Sequence, residues 1–344
     1  MFCGEVVDHT PVLGGWIACP EHIAAIMGIS LDDYWIDPVS ISIEAYRRLG
    51  TDGLIDVCVP KNKDDFRIVD ADSYLRTTIG DTLEDAVRKI DAMPSAQEIE
   101  ASFDFEGEYS AFKSRLLKYQ DLCAEMLYFP AQWNAGARLS WYGDFGYENF
   151  FLIMGLYQDQ ALKLLETGGA DGFCRARIIA RAIREGIFPK AIFFGEDICT
   201  QRGPMIAPDY LEKYYAPQLK HGLEPLLEVG CRPVWHCDGD VRPLLDMLLD
   251  CGIQGFQGFQ PECGMKIENI VQKKTKEGKP LLIFGPMAVT TELPVFTPSE
   301  VKARVRQVID ICKGNADLAL FTSNTINPDV PLENIYAMYE AAQE

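Results

Sequence analysis

Cationic side chains are scarce in this chain of 344 residues: 32 lysines and arginines stand against 51 aspartates and glutamates, a formal charge of −19. Such a surface has little with which to displace the counterions of a nucleic acid, which argues against non-specific binding to DNA or RNA. It also opposes a polyanionic substrate unless a local basic pocket overrides the global field. Long apolar runs are missing as well. The most apolar stretch near the N-terminus, Pro11 to Cys19, is about half the length that a bilayer-spanning helix needs. No basic segment followed by an apolar run and a small-residue cleavage site is visible. These absences read as a cytoplasmic protein without membrane contact. The 11 cysteines include no Cys-x-x-Cys pair, so a structural zinc site of four cysteines is not expected, and reduced thiols are. No Gly-x-Gly-x-x-Gly follows the first strand, and no internal repeat or low-complexity tract occurs.

What is present is a chain able to bury a sizeable core, with 48% hydrophobic residues. Apolar runs of four to seven residues recur, at 54–59, 138–141, 191–194, 232–235, 253–256, 281–284 and 318–321. Near-continuous hydrophobicity of this kind suits strands covered on both faces. Helical patterns lie between the later runs. Thr297-Pro298-Ser299-Glu300 combines a capping box with proline at the first helical position, and Val301, Val305, Val308, Ile309 and Cys312 then share one face. The segments 208–230 and 241–252 read similarly, each closed by a glycine. Strands alternating with amphipathic helices imply parallel pairing through right-handed crossovers. With about eight candidate strands, the expected fold is α/β, a (β/α)8 TIM barrel forming one domain over 1–344. The segment 61–137 is expected to add helices flanking it.

Function in such a barrel belongs at the C-terminal ends of the strands. Polar residues there include Tyr142 and Asp144, then Glu196 and Asp197, then His236, Asp238 and Asp240, then Gln257, and last Ser323 and Asn324. Side chains alternate along a strand, so His236 and Asp238 point one way while Trp235 and Cys237 point the other. A histidine beside a carboxylate can bind a divalent metal such as zinc or move protons. The alternative is a histidine held near a turn, with Asp238 capping the next helix. Glu196 and Asp197 can supply a metal ligand, an acid or a substrate anchor, or else cap a helix or pair with Arg202. The rings of Trp16, Trp35, Trp141, Tyr142 and Phe259 can line an apolar pocket or pack in the core.

Residues 195–209, from Gly195-Glu196-Asp197 to Pro208-Asp209, resemble the uroporphyrinogen decarboxylase superfamily. So do Trp235-His236-Cys237-Asp238-Gly239-Asp240, the run 252–261 and the run 328–337. The resemblance is specific across 190–340 and implies a (β/α)8 barrel with its site at the C-terminal mouth. True decarboxylases of this superfamily carry an arginine-rich N-terminal stretch that grips substrate carboxylates, whereas the first arginine here is Arg47. The branch that transfers methyl groups binds zinc, in its thiol-methylating members, through His-x-Cys and a distant cysteine. His236 matches that histidine, but Asp238 replaces the cysteine, and Ser323, Asn324 and Thr325 stand at the third position. The resemblance therefore implies a methyltransferase that moves a methyl group from a small methoxylated or methylated compound to the Co(I) corrinoid of a partner protein. Its catalytic residues are expected to be His236, Asp238, Glu196 and Asp197. Zinc is the expected metal, on His236, Asp238 and Glu196, with Trp16, Tyr142, Asp144, Gln257 and Asn324 around the substrate. The alternatives are a cofactor-independent decarboxylase of a small carboxylate, drawing cations from Arg76, Arg138 or Arg202, and a zinc-dependent corrinoid-to-thiol methyltransferase. A homodimer is the default assembly.

Overall fold

The computed structural model describes residues 7–60 and 82–344. Its strands are β1 (Leu13–Gly14), β2 (Gly53–Leu54), β3 (Leu127–Tyr128), β4 (Ala191–Gly195), β5 (Cys199–Thr200), β6 (Gly203–Pro204), β7 (Arg232–His236), β8 (Gly255–Gln257), β9 (Leu282–Met287) and β10 (Asp317–Thr322). A three-stranded parallel sheet runs β1-β2-β3, and a five-stranded parallel sheet runs β10-β9-β8-β7-β4. The two sheets meet at both margins. Val12 bridges Leu320 in parallel on one side, and the Gln132 N–H donates to the Phe193 carbonyl at 2.7 Å on the other. A small antiparallel hairpin, β5-β6, follows β4.

The apolar runs explain this layout. β4 and β9 are buried along their whole length, and β7 and β10 nearly so, as parallel strands with two covered faces must be. Helices cover them, among them Gln158–Arg184, Ala216–Glu228, Pro298–Cys312 and Leu332–Gln343. The capping box at Thr297 forms as its spelling implies, with the Thr297 hydroxyl accepting from the Glu300 N–H and the Glu300 carboxylate accepting from Thr297. Val301, Val305, Val308 and Cys312 are buried on one face of that helix. Gly230 and Gly252 both take the positive φ that ends their helices. Among the described residues no helix is long and apolar enough to cross a membrane.

Two strand expectations are corrected. The run 138–141 is not a strand, because the Leu139 and Ser140 N–H groups donate to the Glu196 carboxylate rather than to a ladder; the third strand is Leu127–Tyr128. The run 54–59 pairs only at its start, since the chain turns at Asp56, a non-glycine residue with φ 58. Of the segment expected to add helices, residues 61–81 lie outside the described residues. Its remainder supplies Leu83–Asp91, Ala96–Ser102 and Phe105–Cys123.

Burial pushes Asp56 up to about 6 from an ordinary 3.8, against the hydrogen bond it accepts from Ala131. The folded chain then keeps a proton that the unfolded chain has released, so stability falls as pH rises from about 4 to about 6. Asp56→Asn keeps the acceptor and tolerates φ 58. It is expected to flatten that slope and raise stability at pH 7 by about 2 kcal/mol, measured by denaturant unfolding across pH.

Candidate active site

Strand period places the imidazole. His236 is the last residue of β7, and its neighbours in the chain, Trp235 and Cys237, are both buried at 1% exposure. Beyond the strand, Asp238 turns back toward the same chamber. The nearest strand, β4, ends in register at Gly195 opposite His236, so Glu196 and Asp197 leave the sheet beside it. One ligand atom each from Asp197, His236 and Asp238 lies within 4.8 Å of the others, the group that meets this test among the described residues. His236 Nε2 is 3.5 Å from Asp197 Oδ1, and Asp197 Oδ1 also accepts from the Asp238 N–H at 3.2 Å.

The proton on His236 can be assigned from its partner. The Gln257 amide donates from Nε2 to the carbonyls of Thr322 at 2.7 Å and Ser323 at 3.0 Å, groups that only accept. That leaves Gln257 Oε1 as the acceptor for His236 Nδ1–H. Nε2 is consequently the nitrogen turned toward Asp197 and free to bind or carry a proton.

Asp238 is held differently. Its Oδ2 accepts from Asn324 Nδ2 at 2.7 Å, while Oδ1 is buried and has no hydrogen-bond partner. Burial pushes its pKa up from the ordinary carboxylate value, with His236 pulling it down and Asp197 pushing it up. A buried carboxylate oxygen without a donor is costly unless something charged meets it. The set of one imidazole and two carboxylates fits a divalent metal such as zinc, with Asp238 Oδ1 offering a ready ligand atom.

Glu196 stands apart from this group, in contrast to its expected place in the metal set. Its Oε1 accepts from the Leu139 N–H at 3.0 Å, and Oε2 from the Ser140 N–H at 2.9 Å and the Ser140 hydroxyl. Fully enclosed, its carboxyl is pushed upward by burial, and those donors pull it back. The carboxylate that joins His236 and Asp238 is Asp197 instead. Glu196→Ala orphans two backbone N–H groups and is expected to destabilise the fold by about 3 kcal/mol, read as a lowered unfolding midpoint.

A cavity of about 330 Å³ opens against this group, lined by Trp133, Asn134, Arg138, Ser140, Tyr142, Gly195, Glu196, Asp197 and His236. Of the five residues expected around the substrate, Tyr142 lines the cavity, with its hydroxyl donating to the Asp197 carbonyl at 3.2 Å. Gln257 and Asn324 sit behind it, bonded to His236 and Asp238. Trp16 is buried, donates to the Ile55 carbonyl and sets its ring edge-on to His236 at 6.1 Å. Asp144 pairs with Arg138 outside the lining. The sequence reading did not single out Trp133. Its ring lies 5.9 Å from His236 and 5.3 Å from Phe193, yet the residue is 44% exposed. An exposed tryptophan shortly after a short third strand is a signal visible only once Leu127–Tyr128 is known to be that strand. Of the arginines that a decarboxylase would need, Arg138 lines the cavity but is paired with Asp144 and lies over the Trp141 ring at 4.1 Å. Arg202 is exposed at the hairpin, and Arg76 lies outside the described residues.

No protein-family model matches the sequence, and no curated protein matches it. Among solved structures, a methyltransferase from Methanosarcina mazei is similar in fold, with a TM-score of 0.59 and 16% sequence identity. The likeness covers 99% of this chain and 95% of that one.

Proposed function

We propose that this chain is a cytoplasmic methyltransferase that moves a methyl group from a small methoxylated or methylated compound to the Co(I) corrinoid of a separate carrier protein. The observation that carries the reading is the meeting of Asp197, His236 and Asp238 at the C-terminal ends of parallel strands, against a small-molecule cavity. The full-length likeness in fold to a methyltransferase supports it, as does the resemblance of 195–209 and 235–245 to the uroporphyrinogen decarboxylase superfamily. We read the eight parallel strands as one (β/α)8 barrel, supported by the two contacts that join the sheets at their margins.

An alkoxide or aryl oxide leaves poorly at neutral pH, so the donor oxygen needs a proton or a Lewis acid as the methyl carbon departs. When bound, zinc supplies that Lewis acid and the corrinoid supplies the nucleophile. Asp197, His236 and Asp238 would hold the metal. In proton transfer the same residues divide the work. His236 presents Nε2, with Gln257 keeping the other nitrogen protonated, and Asp197 Oδ1 stands 3.5 Å from that Nε2. Trp133 and Tyr142 give the apolar body of the donor two aromatic walls, which orient the methyl carbon toward the open side and exclude water.

The test is to combine the protein with a Co(I) corrinoid carrier protein and a panel of methoxylated and methylated compounds. The expected result is the absorption change of methyl-Co(III) with at least one donor. Silence across a broad panel counts against methyl transfer, and carbon dioxide release without corrinoid would replace it with decarboxylation.

A further inference from the structure

A second cavity, of about 220 Å³, lies between the helices Phe105–Cys123 and Gln158–Arg184. Trp133 and Asn134 line both this side cavity and the one at His236, so the two cavities adjoin at these residues. Two guanidinium groups and the Glu108 carboxylate border the side cavity, and the two guanidinium groups differ in engagement. Arg175 is paired with Asp171 at 2.9 Å and reaches Glu108 at 3.9 Å. Arg115 has no carboxylate within 4.0 Å among the described residues. Asp56 acts on it only through the longer-range field, and the Asp56 carboxylate is already bonded to the Ala131 N–H. An arginine offers five donors in a planar fork that matches a carboxylate. In a chain of net charge −19 an anion reaches a site only where such a local cation offsets the global field.

We infer that the side cavity is a carboxylate subsite built on Arg115, and that the donor carries a carboxylate at the end remote from its methyl group. The second clause rests on the methyl-transfer reading, whereas the subsite itself does not. A molecule seated this way lies along Trp133, with its apolar middle on the indole and its reactive end toward His236 Nε2. Asn134 and Gln132 line the same cavity, and the Gln132 amide already donates to the Pro130 carbonyl at 2.8 Å. Uncharged donors of the same shape lose the anchor and should bind more weakly, with KM affected before kcat.

Binding is tested first without turnover, by calorimetric titration with benzoate and with benzamide as its uncharged match. Wild type is expected to bind benzoate at least tenfold more tightly, and Arg115→Ala to erase that preference while leaving benzamide affinity unchanged. Arg115→Lys should restore part of it, and added salt should weaken it. Arg115 is exposed on its helix, so these variants are expected to fold as wild type does. A wild type that does not prefer benzoate, or an Arg115→Ala variant that keeps the preference, overturns the subsite. Acetate is too short to span both cavities and separates the two sources of carboxylate. If acetate binds at Arg115 as tightly as benzoate, the subsite serves a separate small anion and its assignment to the donor is overturned. Preserved benzoate selectivity with no methyl transfer to any Co(I) corrinoid would sink the functional reading and leave the subsite standing.

Discussion

His236→Ala is expected to reduce methyl transfer by about 10²- to 10⁴-fold, the range for loss of a positioned acid or base. Two effects combine in that figure. The variant removes Nε2, the ring atom facing Asp197 and the cavity. It also leaves Gln257 Oε1 without the Nδ1–H that it accepts, while the Thr322 and Ser323 carbonyls still hold the amide in place. Zinc content, measured by elemental analysis on protein purified without chelator, is expected to fall in parallel, because a pair of carboxylates lacks the third ligand of a catalytic zinc site. The cost to folding is that of one orphaned acceptor, about 1–3 kcal/mol, so an unfolding curve distinguishes a dead site from a lost fold. Transfer within a few-fold of wild type in a folded His236→Ala protein would remove the histidine from the mechanism.

Gln257→Leu comes next in size, with an expected loss of about 10- to 100-fold in activity or metal affinity, the usual consequence of removing the partner that orients a histidine. Gln257 touches neither the cavity nor any donor molecule. It acts by accepting from Nδ1 while anchored by two carbonyl groups at the C-terminal end of β10, those of Thr322 and Ser323. Without it the imidazole is free to move its proton to Nε2, where it blocks the lone pair that a metal would need. A merely structural role would lower stability and leave the pH profile alone. The expected signature is a displaced pH–rate profile, with Gln257→Glu recovering part of the rate and moving the basic limb upward, because a carboxylate at Nδ1 favours the imidazolium. An unchanged profile in Gln257→Leu would confine the residue to packing.

Much of this site is legible along the chain. The alternation of buried strands and amphipathic helices is a local property, so β4, β7, β9 and β10 fall where their apolar runs lie. His236 falls at the end of its apolar run, whereas Asp238 lies past the end of β7 and reaches the same chamber through the turn. The weak points are equally physical. β1, β2 and β3 are two residues each, too short for any periodicity to show, and Arg138 to Trp141 has the composition of a strand without its hydrogen bonds. Trp133 and Arg115 carry no motif, since a platform and a lone cation are defined by what surrounds them.

The chain alone determined that strands and helices alternate with parallel pairing, and it placed an imidazole and a carboxyl two positions apart at the end of an apolar run. Tertiary structure decided which of two adjacent acids joins them. Glu196 and Asp197 are indistinguishable by spacing, and their fates differ because a loop more than fifty residues away presents the Leu139 and Ser140 N–H groups to Glu196 alone. A buried carboxylate goes to the donors that compensate its lost hydration. The acid left without them, Asp197, is the one that reaches His236.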